Sequence, residues 1–542
     1  MARTPLFGRM LETLFISSAK APSDEAVQAA RQRPRGVSRR DLLKVGGAAA
    51  AAMAASNIVG CAAPTGEPTE GLGRSSSPLK KINANIGIVG AGIGGIACAY
   101  ELRRVGVVAT VHEANTRVGG RIWSNSDAKW LGQTIERGGE LIDTPHKTMQ
   151  GYAKELGLQL ETYLKPNLPV FYKFGGQMVS EATMVDEYRQ LVDGMHDALQ
   201  AMGTPTAYLH NDSDVYYDNL SLDEWLDLVN APKNIKALLK VAYAIEYGVA
   251  TSAMSSLAFL QFAKASKQAK LRLWGNWSDE RYHVIGGNDQ IPRGLADRLP
   301  GQILFERKLV RARKLSDGRI ELTFTQGSKT ITATHDAVVF ALPYHLLRGV
   351  ELDPSLGFPA DKLMSIQNFV CGNNAKLMIG FQGRPWIDAG CNGAAYSDMP
   401  YLQTSWETNG SLANATRAVL TDYTGDALAV SLSPQNPQGD ADRFLSNYDA
   451  IIPGSKARAR RDAKGNYVCH LEHWPSNPLT QGAYSANQPG YFTTIEGIPQ
   501  KAVGNVFFAG EMTDSFYNWQ GLMEGGAETG VRAAGEILAY FT

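Results

Sequence analysis

One stretch constrains this chain before any other. Residues 85–113 read NIGIVGAGIGGIACAYELRRVGVVATVHE. Ile86–Val89 is an apolar run of strand length, and Gly90-Ala91-Gly92-Ile93-Gly94-Gly95 follows it at once as G-x-G-x-x-G. Ile96–Val105 has helical periodicity, Gly106 ends it, and Val107–Val111 reads as a second strand with Glu113 at its end. Strand, glycine turn, helix, strand and acid in that order form the unit that binds a dinucleotide. Gly90 allows the tight turn, Gly92 lets backbone approach a pyrophosphate, and Gly95 lets helix and strand pack closely. The anion then sits at a helix N-terminus, where free N–H groups and the dipole favour negative charge. Glu113 lies 23 residues past Gly90, the spacing of a carboxylate that meets ribose hydroxyls.

The next residues narrow the ligand. Ala114-Asn115-Thr116-Arg117-Val118-Gly119-Gly120-Arg121 places two glycines and a bidentate donor just past Glu113. Residues 135–142 read IERGGELI, and residues 506–534 read VFFAGEMTDSFYNWQGLMEGGAETGVRAA. Together these blocks resemble the flavin amine oxidase family, which binds FAD. The resemblance covers about residues 85–542. It implies that Gly138 and Gly139 lie beside the flavin, that Glu511 bonds the ribityl chain, and that Met523 meets the flavin's pyrimidine end at a helix N-terminus. A helix start there stabilises negative charge on reduced flavin. Residues 282–295 (YHVIGGNDQIPRGL) resemble the family's turn back into the FAD domain. Residues 303–312 (ILFERKLVRA) resemble the strand that meets adenine, through Leu309 and Val310.

The fold class implied is α/β: a discontinuous, Rossmann-like FAD-binding domain and a mixed α+β substrate domain, amine-oxidase-like. Segments 84–149, 281–345 and 485–542 are expected to build the first, and 150–280 and 346–484 the second.

The same resemblance assigns the chemistry. Amine oxidation passes a hydride from the carbon bearing nitrogen to flavin, while the protein positions and excludes water. The family carries a Lys on a strand that holds a water at the flavin. The matching segment NNAKLMIGFQGRPW makes it Lys376, in an alternating, strand-like run. Read without the resemblance, Lys376 would be a solvated strand residue. Tyr484 matches one wall of the family's aromatic cage. The second wall position is Leu522, and Trp519 is a further pocket candidate. Ala483 stands where monoamine oxidases carry the Cys that links to flavin, so FAD should be held without a covalent bond. The Arg that clamps a carboxylate in L-amino-acid oxidases is replaced by Leu141, which leaves Arg272, Arg281 and Arg384 as candidate cations.

The reaction expected is oxidation of an L-amino acid or primary amine to the imine, with O2 reduced to H2O2. The alternatives are an oxidase of amines only, a desaturase or porphyrinogen-oxidase-like flavoenzyme, and a non-catalytic FAD-binding lipoprotein. No metal is expected: on a strand, the CHLEH run at 469–473 sends its ligand types to opposite faces. Cys98, Cys371, Cys391 and Cys469 contain no C-x-x-C and demand no disulfide. The sequence leaves the oligomeric state open.

Charge separates the first sixty residues from the rest. They hold 9 basic and 4 acidic groups, although the whole chain balances at 53 of each. That balance gives no field for nucleic acid. Ser38-Arg39-Arg40-Asp41-Leu42-Leu43-Lys44, a weak Ala/Gly-rich run and Cys61 resemble a twin-arginine export signal ending in a lipobox. Residues 1–60 are therefore expected to be an address, 61–83 a flexible tether, and Cys61 a lipidated anchor to a membrane. The protein is expected to be periplasmic or otherwise extracytoplasmic.

Overall fold

The computed structural model describes residues 82–163, 167–274, 278–408, 412–414 and 416–542. The export signal, the tether and Cys61 lie outside the described residues.

Five parallel strands form one sheet in the order Val506–Phe508, Ala337–Phe340, Ile86–Val89, Ala109–His112, Ile303–Leu304. The expected strand at Ile86–Val89 is present and wholly buried. Burial on both faces explains its unbroken apolar reading. The following helix, Ile93–Arg104, starts three residues earlier than the periodicity suggested, so Gly94 and Gly95 lie inside it. A Cβ at Gly95 would run into the Gly90 carbonyl, and one at Gly94 would come within 2.8 Å of the Gly510 nitrogen. The C-terminal helix Met523–Phe541 packs across Ile93–Arg104 through glycines as well. A Cβ at Gly526 would meet the Ile93 side chain at 2.7 Å. Close approach, rather than helix propensity, explains glycine at these positions.

Residues 303–312, read as one strand, are two strands in two sheets. Ile303–Leu304 joins the parallel sheet, and Lys308–Lys314 joins a four-stranded sheet with Ile320–Gln326, Lys329–His335 and Glu351–Leu352. The chain turns between them where Glu306 takes φ 60°, and the Arg307 N–H donates to the Glu113 carbonyl at 2.8 Å.

A seven-stranded sheet faces this assembly in the order Cys469–His473, Asn374–Phe381, Ala418–Gly425, Leu402–Thr408, Ala395–Met399, Phe171–Phe174, Gln177–Val179. It is antiparallel except where Ala395–Met399 meets Phe171–Phe174. Helix Lys233–Tyr247 packs on it. The Asn374 side chain donates to the Ile245 carbonyl at 2.7 Å. Every residue of Asn374–Phe381 is buried, so the strand's polar face is covered rather than solvated.

Candidate active site

The glycine turns converge as their spacing predicts. Gly119 donates its N–H to the Ala91 carbonyl at 2.8 Å, and a Cβ on Gly120 would lie 3.3 Å from the Gly92 Cα. Glu113 accepts the N–H groups of Ala91 and Asn115, each at 2.6 Å. Burial raises its carboxyl above the ordinary range, and those two bonds oppose the rise. Leu309, buried, and Val310, half-buried, sit on the strand that leaves this corner.

Helix Ile93–Arg104 begins at Gly92 with no side-chain cap and no acid in its first turn. A Cβ at Gly92 would meet nothing within 4 Å. Uncapped N–H groups and open space in front of them are what a diphosphate requires, so the residues present fit a dinucleotide.

Arg121 and Glu511, 390 residues apart in the chain, close a 2.6 Å ion pair. The same guanidinium donates to the Ala483 carbonyl at 2.7 Å. Glu511 also accepts Ser485 Oγ at 2.6 Å and the Gly521 N–H at 2.8 Å, so both of its oxygens are held. The Gly138-Gly139 turn meets the start of the last helix: a Cβ on Gly139 would come within 2.6 Å of Met523 Sδ.

Lys376 lies on this turn. Its Nζ donates to Gly138 O at 2.8 Å, Glu136 O at 3.3 Å and Glu140 Oε2 at 2.7 Å. It is 6% exposed, so the solvated reading does not hold. Glu140 also accepts the Trp406 indole N–H at 3.1 Å. Tyr423 faces Lys376 across the strand pair, with its ring centre 5.9 Å from Nζ. Its hydroxyl meets that of Tyr484 at 2.7 Å, and Tyr484 also donates to the Ile245 carbonyl at 3.0 Å. Burial pushes both phenols well above their ordinary range.

The hydroxyl partner of Tyr484 is therefore Tyr423. Leu522 is 37% exposed. Trp519 packs edge-on against His146, with ring centres 4.9 Å apart. Sequence reasoning missed Glu140, Trp406 and Tyr423. Glu140 directly follows the glycine pair, which was a usable signal. The other two enter through strand register, which no local motif reports.

The candidate carboxylate clamps are placed as follows. Arg272 and Arg281 are exposed. Arg384 is taken by Glu407, whose two oxygens accept its Nε at 2.6 Å and its Nη2. No group of His, Cys, Asp and Glu able to hold a metal occurs among the described residues. The four described cysteines are free thiols.

The chain is similar to known proteins. The chain is 25% identical over 493 residues to an L-amino-acid oxidase of Mus musculus, covering 86% of this chain and 72% of that one. It is 24% identical over 470 residues to amine oxidase [flavin-containing] B of the same organism, covering 83% and 85%. Cyclohexylamine oxidase from Brevibacterium oxydans IH-35A superposes with TM-score 0.71 at 20% identity, over 84% of this chain and 99% of that one. A putrescine oxidase structure with putrescine bound gives 0.69 at 19% identity, over the same shares. These structural likenesses carry the fold. Residues 93–538 match the flavin containing amine oxidoreductases, and the chain belongs to that family.

Proposed function

We propose that this protein is an oxidase that holds FAD without a covalent bond and acts on an amine. The amine RCH2NH2 and O2 would give RCH=NH and H2O2, and water would then release RCHO and ammonia. Bound flavin supplies the hydride acceptor. The chain's part is to orient and dehydrate. Lys376 ties the strand Asn374–Phe381 to the Gly138-Gly139 turn. Tyr423, Tyr484 and Trp406 wall a water-poor space, which disfavours ammonium and so favours the neutral amine that must react. Ala483 offers no sulfur for a covalent link.

The observation that carries the choice of amine over amino acid is the pairing of Lys376 with Glu140. With that ammonium neutralised and Arg384 held by Glu407, neither of these two cations is left for a substrate carboxylate. An unpaired carboxylate in an aromatic pocket costs several kcal/mol. The second reading, an L-amino acid, is supported by the likeness to the mouse L-amino-acid oxidase. Anaerobic bleaching of the flavin by an amino acid and by its decarboxylated amine tests the choice. The amine should bleach faster in every matched pair, and faster bleaching by the amino acids would reverse it. We also propose export by the twin-arginine route with a lipid anchor at Cys61, on the sequence pattern alone.

A further inference from the structure

His112 and His335 take no part in the amine chemistry, yet both are buried, at 1% and 3% exposure. Strand Ala109–His112 ends at His112, and Glu113 follows it at once. His335 ends strand Lys329–His335 of the four-stranded sheet. The two Nε2 atoms lie 3.1 Å apart, and the His112 ring stacks on Phe324 with centres 4.4 Å apart. Gly87 makes room for the pair: a Cβ there would come within 2.5 Å of the His335 ring.

The hydrogen bonds fix where each proton sits. Asn85 donates its side-chain N–H to the Thr334 carbonyl at 2.9 Å, so its oxygen is the atom that meets His335 Nδ1, also at 2.9 Å. His335 Nδ1 therefore carries the hydrogen, and its Nε2 is bare. His112 Nε2 donates to that bare nitrogen, which leaves His112 Nδ1 as an acceptor. Arg307 Nη1 donates to it at 3.4 Å. Burial lowers both rings, to about 3 for His112 and about 4 for His335, so both are neutral. The charges of His335 and Arg307 add to this at His112, and Asp336 opposes it at His335. One row of hydrogen bonds thus joins Arg307, His112, His335 and Asn85 across two sheets.

Arg307 stands between the two residues assigned to the adenosine end of the dinucleotide. Its backbone N–H donates to the Glu113 carbonyl, and Leu309, on the strand expected to meet adenine, comes two residues later. Its Nη1 is taken by His112, its Nε is buried, and its Nη2 has no partner among the described residues. A ribose hydroxyl both donates and accepts, whereas a carboxylate such as Glu113 only accepts. A donor is therefore wanted on the other side of the diol, and a charged one makes the stronger bond.

Resting on the FAD reading above, we propose that Arg307 donates to the ribose of the FAD adenosine, opposite Glu113, and that His112 and His335 are positioning residues that hold its guanidinium there.

The test is rebinding of FAD to the purified protein after its flavin has been washed out, read by quenching of flavin fluorescence. FAD is compared with an analogue that carries 2′,3′-dideoxyadenosine. The wild type should favour FAD over the analogue by about tenfold or more. Arg307→Met should weaken FAD about tenfold and the analogue little, so that the two bind alike. His112→Phe keeps a ring on Phe324 but offers no acceptor. It should weaken FAD about threefold or more, and should change nothing further in the Arg307→Met background. His112→Asn returns an acceptor oxygen near the place of Nδ1 and should restore most of the affinity. Equal FAD affinity in wild type and Arg307→Met would overturn the contact, and so would an equal loss for FAD and the analogue. A His112→Phe effect that persists in the Arg307→Met background would overturn the positioning role. A wild type that binds no FAD would sink the cofactor reading and this assignment with it.

Discussion

Lys376 and Glu140 form a 2.7 Å ion pair whose side chains are 7% and 11% exposed. Both ends are braced: the ammonium donates to two carbonyls of the Glu136–Gly138 segment, and the carboxylate accepts the Trp406 indole. The pair is thus a joint between the seven-stranded sheet and the glycine turn of the dinucleotide unit.

Replacing Lys376 by Met separates two effects. The variant should slow flavin reduction on the order of a hundredfold, because a positioned donor is lost at the reacting end. It should also lose about 3 kcal/mol of stability, because Glu140 is left buried and unpaired. Adding Glu140→Gln should recover most of the stability and little of the rate. Stopped-flow reduction and denaturant unfolding read the two quantities. Unchanged reduction kinetics in the single variant would make Lys376 a structural residue alone.

Acid precipitation should leave yellow flavin in the supernatant. Ala483 is buried where a linking thiol would stand, and its carbonyl is occupied by Arg121. Flavin that survives denaturing washes on the pellet contradicts this.

Glu136 should make stability depend on pH. It is 3% exposed and accepts the Asn288 N–H at 2.8 Å and Ser124 Oγ at 2.7 Å. Glu140 repels its charge and Lys376 attracts it, but burial dominates and pushes the carboxyl up to about 8 from 4.5. The folded state therefore holds a proton that the unfolded chain releases. The stability this proton provides is fully present below the unfolded value and is lost as pH rises towards the folded one. Between about pH 5 and pH 8 the wild type should weaken relative to Glu136→Gln, by at most about 1.4 kcal/mol per pH unit. Parallel unfolding curves for the two proteins across that window would disprove it.

Substituting Arg39 and Arg40 by Lys should strand the protein in the cytoplasm. Cys61→Ala should release an exported form from the membrane. Fractionation of cells reads both, and a membrane-bound Cys61→Ala protein would mean another tether.

Much of the dinucleotide unit was legible because its requirements are local. Gly90, Gly92 and Gly95 answer to turn geometry and close packing within a few residues, and the helix and strands around them follow from short apolar runs. The match of Arg121 to Glu511 was only half visible: both were singled out, but nothing in either segment says that they pair. Lys376 was placed on a strand by alternation, while its partner went unseen. Register decides that Tyr423 stands across from Lys376, and register is a property of two distant segments. The break at Phe305–Arg307 was missed because a left-handed Glu306 is not written in residue type.

The parallel sheet has a consequence for how the chain is made. One outer strand, Val506–Phe508, pairs with Ala337–Phe340 and is made after the sheet's other four strands. Until then Ala337–Phe340 is an open edge, and the helix that crosses Ile93–Arg104 does not exist. A chain cut short anywhere before Val506 lacks the acid at 511, the contact at Met523 and one side of the sheet. Retention of the flavin should therefore report that synthesis has passed Met523: among the products of one message, those cut short before it should be colourless.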